Sequence, residues 1–141
     1  MTAHQTSPST RLAVEQAAQL VDEWAPTVSR LLLGLVLGWF GYHELVHPTL
    51  WTGYVPVVSG ATLPVLLVLA HGWILLLLAV ALVAGIMVRA AAGVAALLLL
   101  QIVISLTMSN GLSDLVLRDV GVLGLAVCLS ASSRQRLLLR R

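Results

Sequence analysis

The chain has 141 residues, of which 59% are hydrophobic and only 10% are charged. Soluble globular domains carry about 25% charged residues, so this composition is typical of a membrane protein. The formal net charge is +2, but the arginines flank apolar segments, so we expect contact with lipid and no nucleic-acid partner. The single cysteine, Cys128, excludes an intrachain disulfide and a thiolate zinc cluster.

The first 27 residues form a polar N-terminal segment. Between Arg11 and Trp24 apolar residues recur at helical spacing, and polar residues occupy the rest of each turn. We predict a short amphipathic helix that lies on the membrane surface. It is expected to end near Pro26, because proline disfavours helical geometry at the residue before it.

Four apolar segments follow, each of about 20 residues, which is the length needed to cross the hydrocarbon core of a bilayer. They cover residues 28–47, 62–87, 90–109 and 115–131. The sequence therefore predicts an all-α integral membrane protein, with four transmembrane helices in a compact bundle over residues 28–132. A basic cytoplasmic tail at 133–141 is expected to follow. No room remains for a soluble catalytic domain.

Basic residues predict the orientation of these spans, because arginine near a span end favours the cytoplasm. Seven of the eight arginines fall on one side of the predicted bundle. We expect a multi-pass protein of the cell inner (plasma) membrane with both termini in the cytoplasm. The connections at residues 48–61 and 110–114 would then face outward.

Small residues recur every three or four positions in the first and fourth spans, which allows close helix approach. They are Gly34, Gly38 and Gly41 in span one, and Gly121, Gly124 and Cys128 in span four. We predict that span one packs against span four through these stripes. The alternative is that glycine is simply common in membrane helices.

Ionisable residues are concentrated at the predicted outer ends of the same two spans. His43, Glu44 and His47 end span one, and Arg118 and Asp119 lie near the start of span four. Charged groups at membrane depth usually pair and often mark a functional site. We predict that Glu44 pairs with Arg118, while Asp119 takes a second arginine bond or a proton from a histidine. Alternatively, these groups only hold two helices in register.

The outward connection after span one is uncharged and contains Pro48, Trp51, Tyr54 and Pro56. Proline stiffens a loop, so this segment could form a lid over the polar cluster. Anchoring of Trp and Tyr at the membrane interface is the alternative.

Two further polar residues, His71 and Gln101, lie near the predicted midplane. His71 could be a haem or quinone ligand, but we favour a neutral imidazole bonded to a neighbouring carbonyl. A structural role is also favoured for Gln101.

Residues His43-Glu44-Leu45-Val46-His47 match the H-E-x-x-H pattern of zinc metalloproteases. An intramembrane zinc hydrolase is thus one hypothesis, with His43 and His47 as ligands. Pro48 disfavours helical geometry at His47, however, so the second ligand would be poorly placed, and we expect no metal. The third ligand could come only from Asp114, Asp119 or His71.

The stretch G-x-x-E-L-x-x-P-x-x-W-x-G-Y-x-P, an arginine that opens span one, and R-D-V-G-V-L-G-L-A in span four resemble the DoxX-like family of small four-helix membrane proteins. The resemblance covers about residues 28–132, and the two histidines are not part of the family pattern. The matching positions are Arg30, Glu44, Pro48, Trp51, Tyr54, Pro56, Arg118 and Asp119.

The resemblance implies a four-helix bundle and, for some members, association with quinone-linked oxidation of sulfur compounds or with membrane redox complexes. We therefore expect an accessory or quinone-linked subunit that is not catalytic on its own. Its partners would be the lipid bilayer and other membrane subunits or further copies of itself. A purely structural or assembly subunit is the alternative.

Overall fold

The structure, a computed structural model, describes residues 8–55 and 63–132. Within these residues the chain is helical and contains no strand, which confirms the all-α prediction. Pro56 and the predicted tail at 133–141 lie outside the described residues. The elements are α1 (Pro8–Val46), α2 (Leu63–Ala84), α3 (Val88–Asn110) and α4 (Asp114–Ala131), with short 3-10 helices at Pro48–Leu50 and Thr52–Tyr54.

Two of the helices are long and apolar enough to cross a membrane. Pro64–Ala84 of α2 has a mean hydropathy of 2.7, and Val88–Met108 of α3 has a mean hydropathy of 2.2. Only 28% of the most apolar window of each helix is buried, whereas the core helix of a soluble protein would be mostly buried. The two helices therefore fit a membrane protein.

The other two helices are less uniformly apolar. α4 begins with three charged residues in its first two turns, and α1 contains a buried arginine and a buried glutamate. These charged groups lower the mean hydropathy of α1 and α4, and among the described helices only α2 and α3 are long and apolar enough to cross a membrane.

α1 is one continuous helix of 39 residues with Pro26 inside it, so the prediction of a separate helix ending near Pro26 is wrong. Proline removes one backbone N–H and costs a helix about 3 kcal/mol. Ending one helix and starting another would leave up to four N–H and four C=O groups unpaired at the new ends. The sequence on both sides is helical, so the single interruption is tolerated. Residues 12–25 are exposed, and contacts with the bundle begin after Pro26.

The helices pack as two close pairs, α1 with α2 and α3 with α4, while α1 and α4 contact each other only slightly. The prediction that span one packs against span four is therefore wrong. A Cβ atom placed on Gly121 or Gly124 would meet no atom of the described residues within 4 Å. The α1 stripe, Gly34, Gly38 and Gly41, faces α2 instead.

The closest approach of α1 and α2 is at Gly41 and Gly72. A Cβ on Gly41 would lie 2.8 Å from the carbonyl oxygen of Gly72, and a Cβ on Gly72 would lie 3.1 Å from the carbonyl oxygen of Gly41. The two backbones are in direct contact here. α2 presents a small residue to the α1 stripe at this point, which explains why α1 pairs with α2.

The end of the bundle opposite the 47–55 loop is closed by a tight connection between α2 and α3. Gly85 and Met87 have positive φ angles of 72° and 44°, and the N–H of Ile86 donates to the carbonyl of Ala81 at 2.8 Å. Nε of Arg89 donates to the carbonyl of Ser130 at 3.3 Å, which ties the start of α3 to the end of α4. The buried core includes Leu33, Leu82, Ala92, Ala95, Ala126 and Leu129.

Candidate functional site

A cavity of about 490 Å³ lies among the four helices and the 47–55 loop. Its size is within the range of about 300–1,000 Å³ that is typical of small-molecule sites. Most of its lining is aliphatic or aromatic, with a few polar side chains. The lining residues that carry a polar group, including one tryptophan and one tyrosine, are Glu44, Trp51, Tyr54, His71, Gln101, Ser105, Arg118 and Asp119.

Glu44 forms a short hydrogen bond with a histidine of α2. Its Oε2 lies 2.7 Å from Nδ1 of His71, and Glu44 is only 6% exposed. The prediction that Glu44 pairs with Arg118 is therefore wrong, although both residues line the same cavity. α1 packs on α2, so the α2 histidine is the nearest partner. His71 bonds the carboxylate of Glu44, whereas the sequence predicted a neighbouring carbonyl as its partner.

Arg118 pairs with its neighbour in the chain, Asp119. Nε and Nη2 of Arg118 each lie 2.9 Å from Oδ1 of Asp119. This is the arginine bond predicted for Asp119. The guanidinium carbon of Arg118 also lies 4.8 Å from the centre of the Phe40 ring, a cation–π contact that connects α4 to α1. Asp119 is buried, whereas Arg118 is partly exposed.

The loop after α1 forms one wall of the cavity. The ring of Trp51 lies edge-on to Phe40 with 5.9 Å between ring centres, and it contacts Tyr54 at 6.1 Å. The hydroxyl of Ser105 in α3 donates to the carbonyl of Tyr54 at 3.1 Å. Pro48 starts the first 3-10 helix of this loop. The loop thus lies against α1 and α3 at the place where the sequence predicted a lid.

His43 and His47 are not part of the cavity lining, so the predicted polar cluster of five residues does not assemble in full. Their rings lie 5.6 Å apart, and His43 also contacts Trp39 at 5.4 Å. His47 has φ −130° and ψ 59°, which is the non-helical geometry that Pro48 predicts. Among the described residues no group of three His, Cys, Asp or Glu side chains is placed to hold a metal ion.

Arg30, which the resemblance also singled out, is buried at 2% exposure and lies at a different level of α1 from Glu44. It precedes Glu44 by 14 positions on one helix, which corresponds to about 21 Å along the axis. Arg30 is absent from the cavity lining. Its role is therefore separate from that of Glu44.

Three polar groups in the cavity wall have no hydrogen-bond partner within the described part of the chain. Nε1 of Trp51 and Nε2 of His71 are buried without a partner, and the amide of Gln101 makes no hydrogen bond to the described residues. Buried polar atoms are paired with protein or water in more than about 90% of cases. A wall with several unpaired polar groups is therefore suited to a ligand or to ordered water.

No protein-family model, no curated protein and no solved structure matches the chain. The cavity and its polar pairs are therefore the observations that bear on function.

Proposed function

We propose that this chain is an integral membrane protein whose cavity binds a lipophilic small molecule with a polar head. The observation that carries the proposal is the cavity of about 490 Å³. Its wall is mainly apolar, and it has the Glu44–His71 pair on one side and the Arg118–Asp119 pair on another. A few convergent polar groups in an apolar wall fix the orientation of a bound molecule.

The proposal includes four membrane spans, with α1 and α4 crossing beside α2 and α3. α4 has 18 residues and is about 27 Å long, close to the thickness of the hydrocarbon core. Each helix also presents leucine outward, which suits contact with lipid tails. Leu35, Leu77, Leu97 and Leu117, one on each helix, are between 65% and 68% exposed.

The proposed location is the inner membrane with both termini in the cytoplasm. The support is the distribution of arginines along the sequence. In this orientation the cavity lies at the outward end of the bundle, and the α2–α3 connection with Arg89 faces the cytoplasm.

The proposed biological role is that of a DoxX-like accessory subunit of a redox-linked membrane complex. The resemblance to the DoxX-like family between Gly41 and Pro56 and in α4 supports this role. A quinone fits the cavity chemically, because it combines an uncharged ring that carries carbonyl groups with an apolar tail. Contacts with other subunits or with further copies of the chain would use the exposed apolar faces.

Two other functions are less well supported. A purely structural subunit would have a closed core of ion pairs, whereas the charged groups here line an open volume. A zinc hydrolase would need a third ligand beside His43 and His47, and the described residues provide none.

Ligand binding can be tested by fluorescence on a variant that keeps Trp51 alone, with Trp24, Trp39 and Trp73 replaced by Phe. These three tryptophans are exposed, so their replacement should not disturb the core. In lipid nanodiscs, a benzoquinone with a decyl tail should quench Trp51 saturably. Quenching that rises linearly with the probe concentration in the bilayer, without saturation, would contradict a specific binding site.

The matched control for this experiment compares two exposed alanines. Ala70 lines the cavity, so Ala70→Leu fills part of it and should weaken binding about tenfold, which corresponds to about 1.4 kcal/mol. Ala90 is exposed outside the cavity, so Ala90→Leu should leave the affinity unchanged. Equal effects of the two substitutions would place the bound probe elsewhere.

A further inference from the structure

We infer that the ligand enters the cavity sideways from the bilayer, between α2 and α3, and that the amide of Gln101 binds an uncharged polar head. This inference rests on the proposed ligand-binding function. It adds an entrance, a recognition residue and a class of ligand, namely neutral lipophiles that carry a carbonyl or hydroxyl group.

The gap lies between the two helices that are apolar enough to cross a membrane. α2 and α3 contact each other sparsely compared with the α1–α2 and α3–α4 pairs; α1 and α4 also contact each other sparsely, but the Arg118–Phe40 contact connects these two helices beside the cavity. Residues that line the cavity from both helices are exposed at this side. Leu67 and Ile74 of α2 are 43% and 42% exposed, and Gln101 of α3 is also exposed. An opening flanked by these helices faces hydrocarbon rather than water.

Gln101 is the polar group at this opening. It lies 13 positions after Val88 in a 21-residue stretch with a mean hydropathy of 2.2, so it is about 20 Å along the helix from its start. At that depth a free amide has no water to bond, and unsatisfied polar groups are strongly disfavoured in a bilayer. The amide bonds no described residue. The head group of a ligand that arrives from the lipid phase would supply the partner that the described residues do not.

The chemistry of an amide limits what that partner can be. A glutamine side chain donates through its NH₂ group and accepts through its oxygen, so it can bond a carbonyl or a hydroxyl group equally well. Gln101 also lines the same cavity as the rest of the polar wall. A head group that bonds this amide therefore lies in the same cavity as the other polar side chains of the wall.

The charges of the cavity disfavour an anionic head group. The described lining contains two carboxylates, Glu44 and Asp119, but one guanidinium, that of Arg118. That guanidinium is bonded to Asp119, and Glu44 is bonded to His71. A fatty-acid carboxylate or a phosphate would have to compete with Asp119 for the one guanidinium of this lining. An uncharged head can bond the amide without desolvating an extra charge.

The recognition residue is tested with Gln101→Leu in the variant that keeps Trp51 alone, in phosphatidylcholine nanodiscs with the decyl benzoquinone as probe. Leucine suits an exposed position in a membrane helix, so the fold should persist, which thermal unfolding followed by circular dichroism would verify. We expect affinity to fall about tenfold. Leu97→Gln places an amide one turn away, outside the cavity lining, and should not alter binding. Ionised dodecanoate should not compete with the probe.

The outcomes separate this inference from the proposed function. If the protein with native Gln101 shows no saturable quenching, the proposed function fails, and the inference fails with it. If that protein binds but Gln101→Leu binds equally well, or dodecanoate competes equally well, only the inference fails. A change of oligomeric state without a change of affinity in Gln101→Leu would assign the amide to a second copy, which also overturns it.

The entrance is tested with a nitroxide label attached to Ile74→Cys in a Cys128→Ser background. We expect frequent collisions with membrane-soluble oxygen, rare collisions with a water-soluble nickel chelate, and fewer oxygen collisions once the probe is bound. Leu77→Cys is the matched control, because Leu77 is exposed on the same helix but does not line the cavity. Binding of the probe should not change the collision rate of oxygen or nickel with a label at position 77. More nickel than oxygen collisions at position 74 would overturn the lateral entrance.

Discussion

The first and fourth helices carry glycines at the same spacing, and only those of α1 are used for packing. Gly34 and Gly41 lie so close to α2 that a Cβ atom would approach its atoms to 2.9 Å and 2.8 Å, while Gly121 and Gly124 have open space. The difference lies in the partner. α2 offers Gly72 where α1 needs room, and nothing comparable faces the α4 glycines. Spacing shows where a helix permits close approach, but the facing helix decides whether it occurs.

The largest effect is expected for Gly41→Ala. The added Cβ would lie 2.8 Å from the Gly72 carbonyl and 3.0 Å from the Leu76 backbone nitrogen, and backbone cannot move aside cheaply. We expect destabilisation by about 2–3 kcal/mol, measured as a shift in unfolding by a denaturing detergent. Gly38→Ala is the control, because its Cβ would lie 3.4 Å from Ala79 Cβ, and it should cost less than about 1 kcal/mol. Equal costs would refute the proposed contact geometry.

A smaller effect is expected for the hydrogen bond that the α1–α2 contact allows. In a double-mutant cycle, Glu44→Gln and His71→Leu should show a coupling of about 1–2 kcal/mol, as for a charge-assisted bond between membrane helices. Glu44→Gln with Arg118→Met should couple by less than about 0.5 kcal/mol. A larger coupling in the second cycle would restore the pairing that the sequence predicted.

The smallest effect is expected for Gly124→Ala in α4. Within the part of the chain that the structure describes, nothing lies within 4 Å of the added Cβ, and alanine favours a helix over glycine by up to about 1 kcal/mol. The same detergent unfolding assay should show unchanged or slightly raised stability. A loss comparable to that of Gly41→Ala would mean that α4 packs against a surface outside this chain.

Much of the helical pattern could be predicted because the length of an apolar run indicates the length of the helix that it forms. The predicted span at 115–131 differs by one residue from α4 (Asp114–Ala131), and the segment at 90–109 differs by two or fewer at each end from α3 (Val88–Asn110). Helix pairing could not be predicted in this way. It depends on which surfaces fit, and the small residue on α2 that accepts Gly41 carries no signal in α1 itself.

The site could be predicted only in part, because the sequence does not show which side chains of neighbouring helices face each other. Glu44, Arg118 and Asp119 reach the cavity as expected, but His43 does not, because consecutive residues of a helix point about 100° apart. A motif that is contiguous in sequence is therefore divided between two faces. His71 was the missed partner. The available signal was an ionisable residue inside an otherwise uncharged span, which is usually functional.

The backbone contact between Gly41 and Gly72 sets the distance between the side chains of Glu44 and His71. His71 adjoins Gly72, Glu44 is one turn beyond Gly41, and the bond between their side chains is 2.7 Å long. A separation of the two helices by about 1 Å would exceed the distance limit of a hydrogen bond. Any change in the cavity wall that keeps the Glu44–His71 bond must therefore also keep the spacing of the two helix axes.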